Sequence, residues 1–297
     1  MAPITVEEVR DRRERRRFLD LPIHLHRGVG GWRPPLMSVE RFRIDRGLHP
    51  FFAEGGEAAF FLARRVGRPA GRISAQKPRD TATGWFGFFE CVDDPAVAAA
   101  LVGAATAWLG ARGATRLEGP YSLTPTDEAG LRVGAFDQPA VTGLPWHPRH
   151  YARRLAGTGM RPGPAERWSR LDLGGDGAGP VAPAPSAPAE GTVVPAGLAP
   201  YRDAMVTVGD GDVVIIPDLI EELAGLTLRT AWRHARRART GRFPTGVARP
   251  RPGVVLDADR LDELAAAARA AGYRRLWVPA MVPGAPTLAM GTFSARV

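Results

Sequence analysis

A strand that leads directly into a capped helix constrains the fold of this chain most. Residues 85–92, WFGFFECV, are apolar at almost every position, which is typical of a central strand buried on both faces. Asp94 is a preferred helix N-cap, and Pro95 suits the first helical position. Apolar residues then recur at helical spacing until Gly113, which favours a helix end. This β-α pattern predicts a mixed α/β fold.

The segments around this pattern alternate between strand and helix signals. Residues 58–66 and 70–76 are predicted to form a hairpin that turns at Gly67. The other strands predicted before residue 174 lie at 4–9, 116–118 and 167–173. One further helix is predicted to begin at Arg10, and another to span 148–156.

A change in composition divides the chain. Residues 174–200 are rich in Gly, Ala and Pro and contain few bulky apolar side chains, as in a linker. A chain of 297 residues is expected to hold about two domains. We therefore predict a first domain at 1–173, a linker at 174–191 and a shortened second α/β module at 192–297. The elements predicted after residue 191 are helices at 217–239 and 257–271 and strands at 253–256 and 274–279.

The basic charge of the chain has two interpretations. A net charge of +9 and a pI of 10.9 are typical of proteins that bind anions. However, Lys77 is the only lysine and there is no asparagine, which indicates a GC-rich coding sequence. Two arginine clusters, at 10–17 and at Arg229, Arg233, Arg236 and Arg237, either bind phosphates or form solvated helix faces. We favour the solvated interpretation and expect no nucleic-acid partner.

Cysteine and histidine usage argues against disulfides and metals. Cys91 is the only cysteine, and no zinc-site spacing is present. His147 and His150 lack a third ligand at suitable spacing. The charged first residues do not resemble a signal peptide, and the longest apolar stretch, 96–109, is shorter than the ~20 residues that cross a bilayer. We expect a cytoplasmic protein without a metal or a membrane partner.

Three segments carry a resemblance to a known family. They are HPFF with FFLARRVGRPAGRISA (49–52 and 60–75), GFFECVDD (87–94), and GPYSLTPTDEAGLRVGAFDQP leading to HPRHYARRLAGTGM (119–139 and 147–160). Together they resemble a poorly characterised bacterial family in the GCN5-related N-acetyltransferase (GNAT) superfamily, over about residues 18–173. The resemblance implies an acyl-CoA N-acyltransferase fold, a mixed sheet splayed between its central strands. It also implies tandem modules, of which the second is reduced here.

The resemblance implies where an acyl-CoA would bind. Phe89, Cys91 and Val92 lie on the matching fourth strand, and Arg112 lies near the end of the helix that follows it. The sequence departs from the usual pattern where that helix begins, because the Gly-rich loop that holds the diphosphate is absent. Asp93 and Asp94 would repel a diphosphate there, and Pro95 has no N–H group to donate.

The resemblance also implies candidate catalytic residues. Glu90 matches the general base on the fourth strand and Tyr151 the general acid on the helix after the fifth. An otherwise apolar strand is expected to raise the pKa of Glu90. Two alternatives remain: a Glu90–Arg ion pair, and a Tyr151 ring in the core with its hydroxyl at the surface. Asp127, Glu128 and Asp137 either bind a cationic amine substrate or cap turns.

These observations lead to two functional hypotheses. The first is an N-acetyltransferase that uses acetyl-CoA or another acyl-CoA to acylate an unidentified amine. The alternative is a non-catalytic GNAT-like protein, for ligand binding or scaffolding, that has lost the diphosphate loop. The second half either completes the pocket or pairs two chains in a homodimer.

Overall fold

The structure is a computed structural model that describes residues 3–174, 198, 201–202, 204–209, 211–222, 237, 243–251 and 254–297. These residues form two compact units. Unit 1 comprises Met1–Pro139, Gly143–Ala165 and Met290–Val297, and unit 2 comprises Ala140–Thr142 and Glu166–Ala289. The predicted linker, 174–191, lies outside the described residues except for Gly174.

The helices and strands alternate along the chain. The first elements are β1 (Ile4–Glu8), α1 (Arg12–Leu25), α2 (Met37–Arg43), α3 (Pro50–Ala53), β2 (Glu57–Arg65), β3 (Arg68–Lys77), β4 (Thr83–Cys91), α4 (Pro95–Gly110), β5 (Arg116–Gly119), β6 (Leu131–Gly134) and α5 (His150–Ala156). The later elements are β7 (Arg161–Asp172), β8 (Val206–Val208), β9 (Val213–Pro217), α6 (Leu219–Glu222), β10 (Thr245–Pro250), α7 (Ala258–Ala270), β11 (Arg275–Val278) and β12 (Thr287–Arg296).

Unit 1 is built on a mixed sheet with helices on both faces. Its strands lie in the order β1-β2-β3-β4-β5-β12, with a parallel β4–β5 pair and antiparallel neighbours elsewhere. Alternate β2 side chains separate the two faces: Phe60 packs with Phe18 of α1, and Phe61 packs with α4 and α5. The mixed α/β fold predicted from the sequence is confirmed.

The β4-to-α4 connection forms as the sequence indicates. The Asp94 side chain accepts a 2.9 Å hydrogen bond from the Ala96 N–H, and Pro95 begins the helix. Val97, Leu101 and other small apolar side chains of α4 are buried against the sheet.

The sheet opens between β4 and β5. These strands pair only from Thr83 to Trp85. A bulge then interrupts the register between β3 and β4, and Phe88 adopts a φ of 48°. Beyond the bulge, Glu90 and Cys91 still pair with β3 but have no β5 residue opposite them. The splayed central strands implied by the GNAT resemblance are therefore present.

The strands of unit 2 also form both parallel and antiparallel pairs. Its strands lie in the order β7-β11-β10-β9-β8, with a parallel β10–β11 pair. Asp257 caps α7 by accepting the Arg260 N–H, so the predicted helix and the strand after it are confirmed. The strand predicted at 253–256 is wrong: the described residues 254–256 are not in a strand, and Val255 is 77% exposed. The nearby strand is β10, which buries Val247.

The long helix predicted at 217–239 can be compared with the structure only at its described residues. Pro217 ends β9, and α6 begins at Leu219. Residues 223–236 lie outside the described part of the chain, and three of the four arginines of the second basic cluster lie there with them.

Candidate active site

A buried carboxylate lies at the point where the sheet opens. Glu90, near the end of β4, points to the α1 face and is 7% exposed. Its Oε2 lies 2.6 Å from the Tyr151 hydroxyl and 2.7 Å from His26 Nε2, and its Oε1 lies 3.7 Å from Arg72 Nη2. Glu90 thus contacts a proton donor and two basic side chains at once.

Two α5 side chains complete the open edge of β4. Tyr151 rises from α5 on the opposite face, and its hydroxyl accepts a 3.0 Å hydrogen bond from the Cys91 N–H while donating to Glu90. His150 Nε2 lies 2.9 Å from the Cys91 carbonyl oxygen. The backbone groups that β5 leaves unpaired are therefore satisfied by side chains. The Tyr151 hydroxyl is buried, so the alternative that placed it at the surface does not apply.

His26 and Arg72 were not predicted as site residues. His26 follows the last residue of α1, and its ring packs near Trp32 and Trp146 at centroid distances of 5.6 and 5.9 Å. Arg72 lies opposite Glu90 on β3 and stacks over Phe18 at 4.9 Å. The hairpin pattern predicted a strand that contains Arg72, but nothing in the sequence pointed to His26.

The environment of Glu90 lowers its pKa, contrary to the expectation from its apolar strand. Burial alone would raise the pKa, but the His26 hydrogen bond and the charges of His26 and Arg72 outweigh burial. Burial and the Glu90 charge raise the pKa of Tyr151 well above its ordinary value. At neutral pH the pair therefore consists of a carboxylate and a protonated phenol.

A small polar cavity adjoins this pair. It has a volume of about 40 Å³ and is lined by Glu90, Arg72, Glu128 and His147, among others, which is room for a water molecule. Burial lowers the pKa of His147 to about 4. Its Nδ1 accepts the Arg132 N–H at 3.2 Å, so the neutral ring carries its proton on Nε2.

The three predicted amine-binding carboxylates lie in different surroundings. Asp127 is 2% exposed and lies 3.2 Å from His49 Nε2. Glu128 lines the small cavity and lies 3.4 Å from Arg43. Asp137 lies instead in an open pocket of about 710 Å³. The structure therefore brings one of the three, Glu128, beside Glu90.

The predicted acyl-CoA residues are also spread over different surroundings. Phe89 and Cys91 are buried in the core against α4 and α5, and burial raises the pKa of the Cys91 thiol to about 12, so it is not a thiolate nucleophile. Val92 packs partly buried against the same core. Arg112 follows the far end of α4, about 24 Å from its start at 1.5 Å per residue, and contacts Glu57 and Trp108.

The start of α4 does not fit the diphosphate of CoA. Asp94 accepts the Ala96 N–H and contacts Arg65, and Pro95 has no N–H group. Asp93 pairs with Arg154 at 2.7 Å and with Arg153 at 3.2 Å. One N–H donor at the helix start is thus occupied, Pro95 supplies none, and two carboxylates lie beside the position an anion would take.

Within the described ranges, no group of three or more His, Cys, Asp or Glu residues is arranged to hold a metal ion. No helix in those same ranges is long and apolar enough to cross a membrane.

No protein-family model matches this chain. A curated relative, the bacterial ceramide synthase of Caulobacter vibrioides, is 39% identical over 147 residues, which cover 47% of this chain and 38% of the relative. Protein YghO of Escherichia coli is 35% identical over 147 residues, covering 45% and 36%. The matches thus span well under half the length of these relatives.

Three solved structures align with nearly the whole chain at low sequence identity. A tandem GNAT protein from the clavulanic acid biosynthesis pathway aligns with a TM-score of 0.48 and 12% identity, over 99% of this chain and 98% of its own. Eis1 from Mycobacterium abscessus aligns with a TM-score of 0.38 and 11% identity, over 99% and 73%. A GCN5-related N-acetyltransferase from Kribbella flavida aligns with a TM-score of 0.35 and 8% identity, over 99% and 71%.

Proposed function

We propose that unit 1 is an N-acyltransferase that moves an acyl group from an acyl thioester, such as acetyl-CoA or another acyl-CoA, to an amine. The observation that carries the proposal is the hydrogen-bonded pair of Glu90 and Tyr151 at the open edge of β4. An ionised carboxylate and a protonated phenol in direct contact provide the base and the acid that this reaction needs.

The proton route follows from the hydrogen bonds. The amine nitrogen attacks the thioester carbonyl carbon and loses a proton to Glu90 as the C–N bond forms. The C–S bond breaks, and the thiolate takes the Tyr151 hydroxyl proton. Tyr151 recovers a proton from Glu90 across 2.6 Å, so both residues return to their starting states. Because its pKa is lowered, Glu90 is ionised at neutral pH and accepts the proton that the neutral amine loses on attack.

One relative supports an amide product. A ceramide is the amide of a fatty acid with a long-chain amino alcohol, and the Caulobacter relative is named a ceramide synthase. We extend only the class of reaction to this chain: N-acylation of a primary amine. The groups at the start of α4 do not fit a diphosphate, so we specify only that the acyl donor is a thioester.

The test is direct turnover. The purified full chain is mixed with acetyl-CoA or a long-chain acyl-CoA and with simple amines and amino alcohols, and thiol release and amide mass are measured. We expect thiol and amide in equal amounts, at a rate that falls by about 10²–10⁴-fold in Glu90→Gln. The rate should be retained in Glu54→Gln, an exposed carboxylate without an ion pair in the described structure. Amide formation at an undiminished rate in Glu90→Gln would overturn the residue assignment.

A second candidate function is ligand binding without catalysis. It is favoured by the start of α4, where Asp93 and Asp94 replace the donors of a diphosphate site. Calorimetric titration with acetyl-CoA and with CoA separates the two functions when it is run beside the turnover assay. Binding without thiol release on any amine would favour this second function.

A further inference from the structure

A basic pocket lies in unit 1 apart from the residues around Glu90. It has a volume of about 340 Å³, and none of its lining residues borders the cavity beside Glu90. Three arginines line it, Arg10, Arg15 and Arg46, together with one carboxylate, Glu8. The rest of the lining includes the buried side chains of Phe18, Ile44 and Phe60.

Three separate segments build the pocket. Arg10 lies between β1 and α1, where the Asp11 side chain caps α1 by accepting the Glu14 N–H at 2.7 Å. Arg15 lies in the first turns of α1. Arg46 follows α2, and its guanidinium is fixed by a 2.7 Å hydrogen bond to the Ala58 carbonyl oxygen. The fold brings these arginines together, because Arg10 and Arg46 are more than thirty residues apart in the sequence.

The pocket contains more positive than negative charge. Glu8 lies 3.2 Å from Arg10, so that pair is balanced. Arg46 contacts only uncharged groups, the Ala58 carbonyl and the Phe52 ring, and Arg15 has no carboxylate partner among the residues the structure describes.

The nearby acidic side chains are engaged elsewhere. Glu14 pairs with Arg17 and Arg64, and Asp20 pairs with Arg16. In the part of the chain that the structure describes, the Arg15 and Arg46 guanidinium groups therefore line one pocket and form no ion pair.

We propose that this pocket, Arg10–Arg15–Arg46, binds the phosphate group of a ligand. Guanidinium groups form paired, charge-assisted hydrogen bonds with phosphate oxygens, and all three arginines are exposed, so a ligand can reach them. The phosphate belongs either to a small soluble phosphate ester or to the headgroup of an anionic phospholipid. On this proposal, part of the basic cluster at 10–17 lines a phosphate-binding pocket, and the cluster is not only a solvated helix face.

The exposed arginines of the same helix provide a matched control. Arg12 and Arg13 are exposed and do not line the pocket. The variant Arg15→Gln/Arg46→Gln and the variant Arg12→Gln/Arg13→Gln each remove two positive charges from the same region. Arg15→Gln alone, at an exposed position, keeps the proposal testable if the loss of Arg46 harms folding.

The experiment measures binding of inorganic phosphate by calorimetry and sedimentation with phosphatidylglycerol or phosphatidylcholine vesicles, using the full chain. We expect phosphate binding to weaken by about ten-fold or more in Arg15→Gln/Arg46→Gln, and by less than about two-fold in Arg12→Gln/Arg13→Gln. Sedimentation with phosphatidylglycerol that follows the same order identifies a lipid headgroup. Phosphate binding without vesicle binding identifies a soluble ester.

Two results would overturn the proposal. One is the absence of both phosphate and phosphatidylglycerol binding at low salt. The other is equal loss of binding in the two double variants, which would show a diffuse electrostatic surface instead of a pocket. Neither result bears on amide formation at Glu90, so the failure of one proposal is distinguishable from the failure of the other.

Discussion

Two buried carboxylates, Glu90 in unit 1 and Asp218 in unit 2, have pKa values shifted in opposite directions. Both are less than 10% exposed and both are hydrogen bonded. The pKa of Glu90 is lowered, whereas burial and then the Glu221 charge raise the pKa of Asp218 to about 6. Burial acts on both in the same direction, so their partners account for the difference.

The partners of Asp218 are uncharged. Its Oδ1 accepts the Thr142 N–H at 3.1 Å, the Thr142 hydroxyl at 3.0 Å, and the Ile220 and Glu221 N–H groups at 3.2 and 3.3 Å. These bonds fix the start of α6 but supply no full positive charge. Glu90 instead contacts His26 and Arg72. Neutral donors position a carboxylate, whereas basic neighbours keep it ionised. The contacts of Glu90 therefore fit a role in proton transfer, and those of Asp218 fit a structural role.

The largest expected effect is on turnover in Glu90→Gln. The amide keeps the shape and a hydrogen-bond acceptor but accepts no proton, so we expect kcat/KM for amide formation to fall by about 10²–10⁴-fold. Asp218→Asn makes the same chemical change in unit 2 and is expected to alter kcat/KM by less than about two-fold. Equal losses in both variants would show that Glu90 acts through folding, which circular dichroism of each variant would report.

The next largest effect on turnover is expected when the buried Tyr151 is replaced, and the buried Tyr273 of unit 2 provides the comparison. Tyr151→Phe removes the proposed acid and leaves the Cys91 N–H without its acceptor. We expect kcat/KM to fall by about 10–10²-fold and the free energy of unfolding to fall by about 1–3 kcal/mol. Tyr273→Phe in unit 2 removes a buried hydroxyl that donates to the Ala204 carbonyl at 2.6 Å. Urea unfolding and turnover of both variants should show a similar loss of stability but a loss of activity in Tyr151→Phe alone.

A smaller effect tests the cationic environment of Glu90. Arg72→Gln removes a charge that lowers the Glu90 pKa, so this pKa should rise. Activity requires ionised Glu90, and the acid limb of the pH profile of kcat/KM should therefore move to higher pH. Arg72→Lys restores the charge and should return the limb. A uniform loss at every pH, with no movement of the limb, would indicate that Arg72 only supports packing.

The sequence predicted the elements with local signals and missed those that depend on tertiary partners. Asp94, Pro95 and Gly67 mark boundaries in the chain itself, so α4 and the β2–β3 hairpin were predictable. β8, β9 and β10 were missed because short apolar runs do not distinguish a strand from other buried segments. The last residues of β12 pair with β5, across more than 170 residues, and no local pattern encodes this.

The candidate site shows the same division. Glu90 stood out as a charge in an apolar strand, and Tyr151 was implied by the GNAT resemblance. His26 was invisible because its contact with Glu90 joins residues 64 positions apart. The predicted direction of the Glu90 pKa shift was wrong for the same reason. The apolar strand predicts that Glu90 is buried, but it does not predict the contacts with His26 and Arg72 that outweigh burial.

The smallest effect on activity, and the clearest on stability, is expected from Asp218→Asn as the pH changes. The folded pKa of about 6 lies above the ordinary value of 3.8, so the folded state binds this proton more tightly than the unfolded state. Ionisation above pH 6 then costs the folded state about 3 kcal/mol, and this cost disappears below about pH 4. The contribution of Asp218 to stability therefore falls as the pH rises between these values. Urea midpoints measured from pH 4 to 7 should decline more steeply in the native chain than in Asp218→Asn, and parallel curves would mean that the folded state does not raise the pKa of Asp218.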